Sequence, residues 1–235
     1  MTTSIKGVLF DKDGTLFNYG NTWEIWCERV IAAMAPGDMA LQHQLARGVG
    51  FDLNSKDFVP GSLVVNASVD EINQAWENLH PTLSSPEIKQ LGIRQLQDLP
   101  VVPVCDLRAM LQALKQMGMA VGCATNDFEA SAMTQLEQAE IKSEFDFICG
   151  YDSGHGAKPE PGMLHAFART MQLQPGEVVM VGDSTHDLNC GIAAGAALCV
   201  GVLTGPALHE DLAAKANVVL ASVAELPAYL RGISG

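Results

Sequence analysis

The chain has 235 residues, of which 48% are hydrophobic, and a formal net charge of −13. Length and apolar share suffice for a sizeable core in one domain, or in one domain carrying a smaller one. The acidic balance excludes a general binder of nucleic-acid backbone, which needs Lys and Arg, but not a small phosphorylated ligand at one local site. No apolar stretch reaches membrane-spanning length and the N-terminus "MTTSIKG" lacks a signal-peptide core, so the expectation is a cytoplasmic protein with no nucleic-acid or membrane partner. Cys27, Cys105, Cys123, Cys149, Cys190 and Cys199 show no CxxC pairing. They are expected as reduced core thiols rather than a metal site or a disulfide framework.

In chain order, residues 5–10 read as a strand, and no comparable strand follows until Met119. The gap exceeds an ordinary α/β connection and is helix-rich. "NTWEIWCERVIAAMAPG" offers Asn21 as N-cap with Glu24 in the capping-box position, and "SVDEINQAWENL" repeats the device with Ser68 and Glu71. "SPEIKQLGIRQLQDL" predicts a further helix. The economical account is a helical domain, residues 18–99, inserted into an α/β core of residues 1–17 and 100–235. Its hinges are expected near Phe17 to Gly20 and near Asp98 to Val104, the second marked by Pro100 and Pro103. Trp23, Trp26 and Trp76 are expected in the core of the insertion.

After about residue 100 two textures alternate. Val-rich runs at 119–124, 145–149, 178–181, 197–202 and 218–220 read as buried parallel strands. Helical stretches at 107–117, 130–139, 161–171, 188–194 and 223–230 lie between and after them, the first ended by Gly118. That alternation predicts a doubly wound, Rossmann-like parallel sheet.

The polar residues of interest all follow strands, where open α/β sheets bind ligands. Asp11 and Asp13 follow the first strand; Thr125, Asn126 and Asp127 follow "VGCA"; Lys158 follows "FICGYDSGHGA"; Asp183, Ser184 and Asp187 follow "VVMVG". Clustered carboxylates at the end of a buried sheet repel unless a cation sits among them. Mg2+ takes oxygen ligands, and Asp11, Asp183 and a backbone carbonyl near Asp13 can supply them. Lys158, and the Thr125 hydroxyl beside backbone N–H groups at a helix start, suit the oxygens of a phosphoryl group. Asp11 can then attack phosphorus as a carboxylate nucleophile. Asp13 can protonate the leaving oxygen and afterwards deprotonate a water.

Each element has a plainer reading. DKDGT could be a strand-end turn, Thr125-Asn126-Asp127 a helix cap, Lys158 a surface lysine held by Pro159 and Pro161, and "GDSTHD" a loop with an N-cap. His186 is read as structural or solvated, since Asp13 already fills the proton-transfer role. Four sites in register at four strand ends outweigh these readings taken singly.

"DKDGTLF", "ATND", "GAKPEPGM" and "VGDSTHDL" resemble, in that order, the four motifs of the haloacid dehalogenase superfamily. The insertion is similar to that superfamily's helical cap of the first type, and the overall texture to its phosphoglycolate phosphatase-like branch. The resemblance implies Asp11 as nucleophile, Asp13 as acid/base, Thr125, Asn126 and Lys158 as phosphoryl binders, and Mg2+ held at Asp11, Asp13 and Asp183. Asp187 is implied as support for the metal shell or for Lys158. Dehalogenases of the superfamily lack the second aspartate and transport ATPases carry threonine there, so Asp13 argues against both. A phosphonate hydrolase needs a Schiff-base lysine; Lys56 could be put forward, but nothing marks it. The expected function is Mg2+-dependent hydrolysis of a small phosphate ester through an aspartyl-phosphate. The alternatives are a sugar-phosphate mutase of the same superfamily and a non-catalytic phosphate-binding module. Specificity is expected in the insertion, with Asn54 and Lys56 of "FDLNSKDF" as candidates.

Overall fold

A computed structural model describes residues 5–59, 61–67, 69–96 and 99–233, apart from the side chains of Asn21 and Asn66. The chain divides into two units, Met1–Tyr19 with Val101–Gly235, and Gly20–Pro100.

The first unit is built on β1 (Gly7–Phe10). The second unit follows it with α1 (Tyr19–Met34), α2 (Met39–Val49), β2 (Phe51–Asp52), β3 (Asp57–Phe58), α3 (Leu63–Asn66), α4 (Val69–Leu79) and α5 (Ser85–Arg94). The chain then returns to the first unit as α6 (Leu107–Gln116), β4 (Ala120–Ala124), α7 (Glu129–Gln138), β5 (Phe147–Cys149), α8 (Gly162–Thr170), β6 (Val178–Gly182), α9 (Thr185–Ala194), β7 (Leu198–Val202), α10 (His209–Ala213), β8 (Val218–Leu220) and α11 (Leu226–Ile233).

The six strands of the first unit form one sheet in the order β5-β4-β1-β6-β7-β8, and every pair is parallel. β1 is central and buried throughout, which suits an unbroken apolar run paired on both sides. Its side chains alternate between two cores. Val8 and Phe10 pack with Leu107, Leu111, Leu114 and Leu226 on one face. Leu9 packs with Met163, Leu164, Phe167 and Leu188 on the other. The sheet is therefore doubly wound, as expected. The order in which strands are added reverses between β1 and β6, β4 and β5 lying on one side of β1 and β6 to β8 on the other, and ligands in open α/β sheets bind at such a switch.

Helix limits differ from expectation where local chemistry decides them. α9 starts at Thr185, ahead of the expected 188, because Ser184 and Asp187 form a capping box. The last helix splits into a 3-10 turn, Val223–Glu225, and α11.

Within the first unit, the segments on either side of the insertion pair with each other. The Asn18 N–H donates to the Val102 carbonyl at 2.8 Å and the Val104 N–H to the Leu16 carbonyl at 3.0 Å. α1 begins directly after that pairing, at Tyr19, so Asn21 lies inside the helix and is not its N-cap.

The second unit packs α1, α2, α4 and α5 around Trp26, Ile31, Leu45, Trp76 and Ile88. The indole N–H groups of Trp26 and Trp76 donate to the Gly92 and Leu45 carbonyls at 2.9 and 3.2 Å, and their ring centroids are 5.9 Å apart. Trp23 packs at the margin of this core. α2, capped by the Asp38 side chain, and the β2–β3 hairpin are elements the sequence did not announce. At α5, Glu87 accepts hydrogen bonds from the Ser84 backbone N–H and hydroxyl at 2.9 and 2.6 Å. The expected cap Ser68 lies outside the described residues.

Candidate active site

Register brings the strand ends level. Phe10 sits opposite Cys123 on one side and Val181 on the other, so Asp11, Thr125 and Asp183 emerge together one or two residues later. The Asp11 N–H still donates to the Val181 carbonyl at 2.8 Å. The chain then turns tightly, with the Lys12 carbonyl accepting from the Leu16 and Phe17 N–H groups at 2.8 and 3.1 Å. Gly14 makes this turn at φ +82°, and a Cβ there would lie 2.3 Å from an Asp183 carboxylate oxygen. Only glycine meets both demands.

Asp183 is gripped from two loops. The Thr15 hydroxyl donates to its Oδ1 at 3.1 Å. On the other side Gly205, past β7, approaches so closely that a Cβ would fall 1.7 Å from Oδ2. The Thr204 hydroxyl ties that loop to the Gly14 carbonyl at 2.6 Å. Thr204 and Gly205 were missed by the sequence reading. "VGVLTGP" is a further strand end, and the rule applied to four strand ends would have reached it as well.

Lys158 is 4% exposed and pairs with Asp11 and with Asp187, the latter at 2.6 Å. Asp187 divides its carboxylate. Oδ1 holds Lys158, and Oδ2 accepts from the Ser184 N–H and hydroxyl at 3.0 and 2.6 Å. A helix cap thereby doubles as the partner of a buried lysine. Asn126, expected among the phosphoryl binders, has its amide engaged with the Lys158 backbone. Its Nδ2 donates to the Lys158 carbonyl at 2.9 Å and its Oδ1 accepts from the Lys158 N–H at 2.8 Å. The Thr125 hydroxyl accepts from the Asp127 N–H at 3.1 Å, which leaves its own proton to donate.

Asp13 pairs with Lys12 at 2.7 Å, and Lys12 is fully buried. Lys12 also meets Asp127 at 3.2 Å and donates to the Gln135 side-chain Oε1. The sequence reading gave no part to Lys12 or Gln135.

The electrostatics of the cluster call for a cation. Oxygens of Asp11, Asp183 and Asp187 all lie within 4.8 Å of one another, and all three residues are buried. Three carboxylates against the one Lys158 ammonium leave two negative charges. Burial pushes the Asp11 carboxyl up to about 6, outweighing Lys158, with Asp187 and Asp13 adding to the rise. Burial and then the Asp11 and Asp187 charges push Asp183 well above the ordinary carboxylate range. Burial alone would lower Lys158, but Asp11 and Asp187 prevail and raise it. A buried, all-oxygen set with an excess charge of this size fits a hard divalent ion.

The family model that matches residues 5–195 is that of the haloacid dehalogenase-like hydrolases. A phosphoglycolate phosphatase of Nitrosospira multiformis is 29% identical over 193 residues, 81% of this chain and 80% of that protein. One from Vibrio vulnificus is 29% identical over 225 residues, 94% of each chain. The crystal structure of a beta-phosphoglucomutase from Clostridium difficile shares the fold, with a TM-score of 0.66 at 19% identity over 97% of this chain and 96% of that one. No helix among the described residues is long and apolar enough to cross a membrane. The chain therefore belongs to the haloacid dehalogenase-like hydrolase family and is a phosphatase of it.

Proposed function

We propose that the protein is a Mg2+-dependent phosphomonoester hydrolase that works through an aspartyl-phosphate on Asp11. The observation that carries this reading is the meeting of Asp11, Lys158, Asp183 and Asp187 at the sheet's switch point, three carboxylates set against one ammonium, beside the strand that Thr125 follows.

Asp11 and Asp183, with the Asp13 backbone carbonyl, would hold the ion, which supplies positive charge to the carboxylate cluster and to the phosphoryl oxygens. Lys158 and the Thr125 hydroxyl orient the phosphoryl group. Asn126 acts through Lys158, whose backbone it clamps at 2.8 and 2.9 Å. An Asp11 oxygen attacks phosphorus, the ester P–O bond breaks, and the leaving oxygen takes a proton from Asp13. Asp13 then removes a proton from water, which attacks the phosphorus of the aspartyl-phosphate and releases inorganic phosphate and the Asp11 carboxylate. Phosphoglycolate is the first ester to try, because the two relatives carry that name.

A panel of phosphate esters, phosphoglycolate and sugar phosphates among them, incubated with Mg2+ and followed by phosphorus NMR, tests the reading. One inorganic phosphate per ester consumed is the expected result. An isomeric sugar phosphate without inorganic phosphate would mean a mutase, and bound ligand without turnover would mean a binding module.

A further inference from the structure

Thr204 lies half-buried in the loop after β7, and no step of the phosphoryl chemistry above uses it. Its hydroxyl nevertheless donates to the Gly14 carbonyl at 2.6 Å. That carbonyl belongs to the peptide joining Gly14 to Thr15, so one hydrogen bond holds the orientation of one planar unit. The loop that carries Thr204 is itself anchored, since the Leu203 N–H donates to the Leu220 carbonyl of β8 at 3.1 Å. The Gly14 N–H in turn donates to the Phe17 carbonyl at 2.7 Å. Thr204 thus ties together two loops that are each fixed to their own surroundings.

Both loops close on Asp183. Thr15, on one side of the held peptide, donates its hydroxyl to Asp183 Oδ1 at 3.1 Å. Gly14 stands on the other side, and a Cβ there would lie 2.3 Å from Asp183 Oδ2. Gly205 follows Thr204 directly, and a Cβ there would lie 1.7 Å from the same oxygen. Neither distance is open to a non-bonded carbon, so the backbone of each glycine presses on Oδ2. One carboxylate oxygen is therefore held by a hydroxyl and the other is walled in from two loops. Thr204 touches neither oxygen. It is bonded in sequence to one wall, Gly205, and by its hydroxyl to the peptide that carries the other wall and Thr15. Without that hydroxyl the two glycines are free to part, and the Thr15 hydroxyl shifts with them.

We propose that Thr204 is a positioning residue that locks the Asp183 carboxylate in place and so makes the site prefer Mg2+ to the larger Ca2+. The proposal rests on the reading of Asp183 as a ligand of the ion. Mg2+ accepts little departure from an octahedron of close oxygens, whereas Ca2+ takes longer bonds in a looser shell. Selection between them follows the size and rigidity of the site. A carboxylate that can shift is therefore a greater loss to Mg2+ than to Ca2+. Groups that hold a metal ligand in place contribute about ten- to a hundredfold in affinity.

The test is calorimetric titration of the full, metal-free chain with Mg2+ and, separately, with Ca2+. Asp183→Asn is the reference and should weaken Mg2+ binding about a hundredfold. Thr204→Val keeps the branched shape and loses the hydroxyl. Its Mg2+ affinity should fall about tenfold and its Ca2+ affinity about twofold, so the ratio of the two drops about fivefold. Thr204→Ser keeps the hydroxyl and should keep the wild-type ratio. Should Thr204→Val fail to fold, Thr204→Ala removes the same hydroxyl from a half-exposed position, and the same drop is expected. A ratio that stays put or moves toward Mg2+ in a folded variant without the hydroxyl overturns the proposal, and so does an equal drop in Thr204→Ser. Wild-type Mg2+ affinity in Asp183→Asn would instead refute the reading of Asp183 as a ligand.

Discussion

Among the described residues of the sheet unit six charged side chains are buried: Asp11, Lys12, Asp127, Lys158, Asp183 and Asp187. All but Lys158, which lies in the loop between β5 and α8, lie just past strand ends or in the first turn of the helix that follows. In the helical unit the buried polar residues described are Thr22, Ser62 and Asn73, none of them charged. Thr22 and Ser62 hydrogen-bond to carbonyls of their own unit at 2.9 and 2.8 Å. The helical unit folds on ordinary terms, with an apolar core and indole groups tied to backbone. The sheet unit carries buried charge that contributes little to folding and therefore points to chemistry. Substitutions at the strand ends should accordingly change turnover with little cost in stability, and those in the helical unit should do the reverse.

The sharpest test is Asp11→Asn. Turnover should fall by about 10^4-fold or more if Asp11 is the nucleophile. Without Mg2+ the variant should nonetheless melt no lower than the wild type. Removing one of three crowded carboxylates offsets the loss of one Lys158 pair, since Asp187 still holds that ammonium at 2.6 Å. A folded variant that releases phosphate at the wild-type rate would remove Asp11 from the chemistry. A variant that melts far lower would show the cluster to be structural.

Gly205→Ala should come next in size. The added methyl would collide with Asp183 from 1.7 Å, so either the carboxylate or the loop after β7 must move. Displacing the carboxylate by about 1 Å should cost roughly a hundredfold in kcat. Calorimetric titration with Mg2+ should show weaker binding. Wild-type affinity together with wild-type kcat would mean that the loop yields and the carboxylate stays put.

The carboxylate cluster also predicts how Mg2+ and pH act together on stability. The Asp11 carboxyl is raised from 3.8 to about 6 in the fold, and burial also raises Asp183 well above the ordinary carboxylate range. The folded state then holds these protons more tightly than the unfolded chain does. Their contribution to stability is complete below the ordinary carboxylate range, and the Asp11 share is lost as pH rises through about 6. Above that the metal-free cluster repels itself, and Mg2+ relieves the repulsion; below it Mg2+ competes with protons. The rise in Tm on adding Mg2+ should therefore be larger at about pH 7.5 than at about pH 5. An equal rise at both values would separate metal binding from these carboxylates, and activity that survives chelation would remove the metal from the reaction.

How much of this was legible follows from what each residue answers to. Asp11, Thr125, Lys158 and Asp183 were readable because each follows an apolar run, and parallel strands in register bring their ends together. Asn126 shares that position, but its amide answers to the Lys158 backbone 32 residues away, which no local pattern discloses. Lys12 was hidden for a related reason. Whether the middle residue of DKD points inward depends on the turn at Gly14, and two of its acceptors, Asp127 and Gln135, come from the loop after β4 and from α7. In the helical unit α2 escaped because its buried Leu45, Ala46 and Val49 sit on a helix otherwise rich in Gln, His and Arg. The β2–β3 hairpin escaped because two-residue strands are too short to show a period.

That hairpin carries the smallest of the expected effects. Lys56 is exposed and pairs with Glu28 at 2.9 Å, the side chains being 60% and 42% exposed. Such a pair is worth about 0–1 kcal/mol. Lys56 also holds φ at 57°, a left-handed conformation that costs a residue with a Cβ about 1–2 kcal/mol. Two substitutions separate charge from backbone. Lys56→Ala loses the ammonium and keeps the strained conformation, so its stability should fall slightly. Lys56→Gly loses the same ammonium and relieves the conformation, so its Tm should match or exceed that of the wild type. If Lys56 selects among phosphate esters through its charge, both variants should shift the ratio of kcat/KM between phosphoglycolate and a sugar phosphate by the same factor, about tenfold or less. Their stabilities should meanwhile diverge. Hydrolysis of p-nitrophenyl phosphate and its Mg2+ dependence should stay as in the wild type. A ratio that follows stability would mean that selection tracks the hairpin's backbone, and an unmoved ratio in both variants would take Lys56 out of specificity altogether.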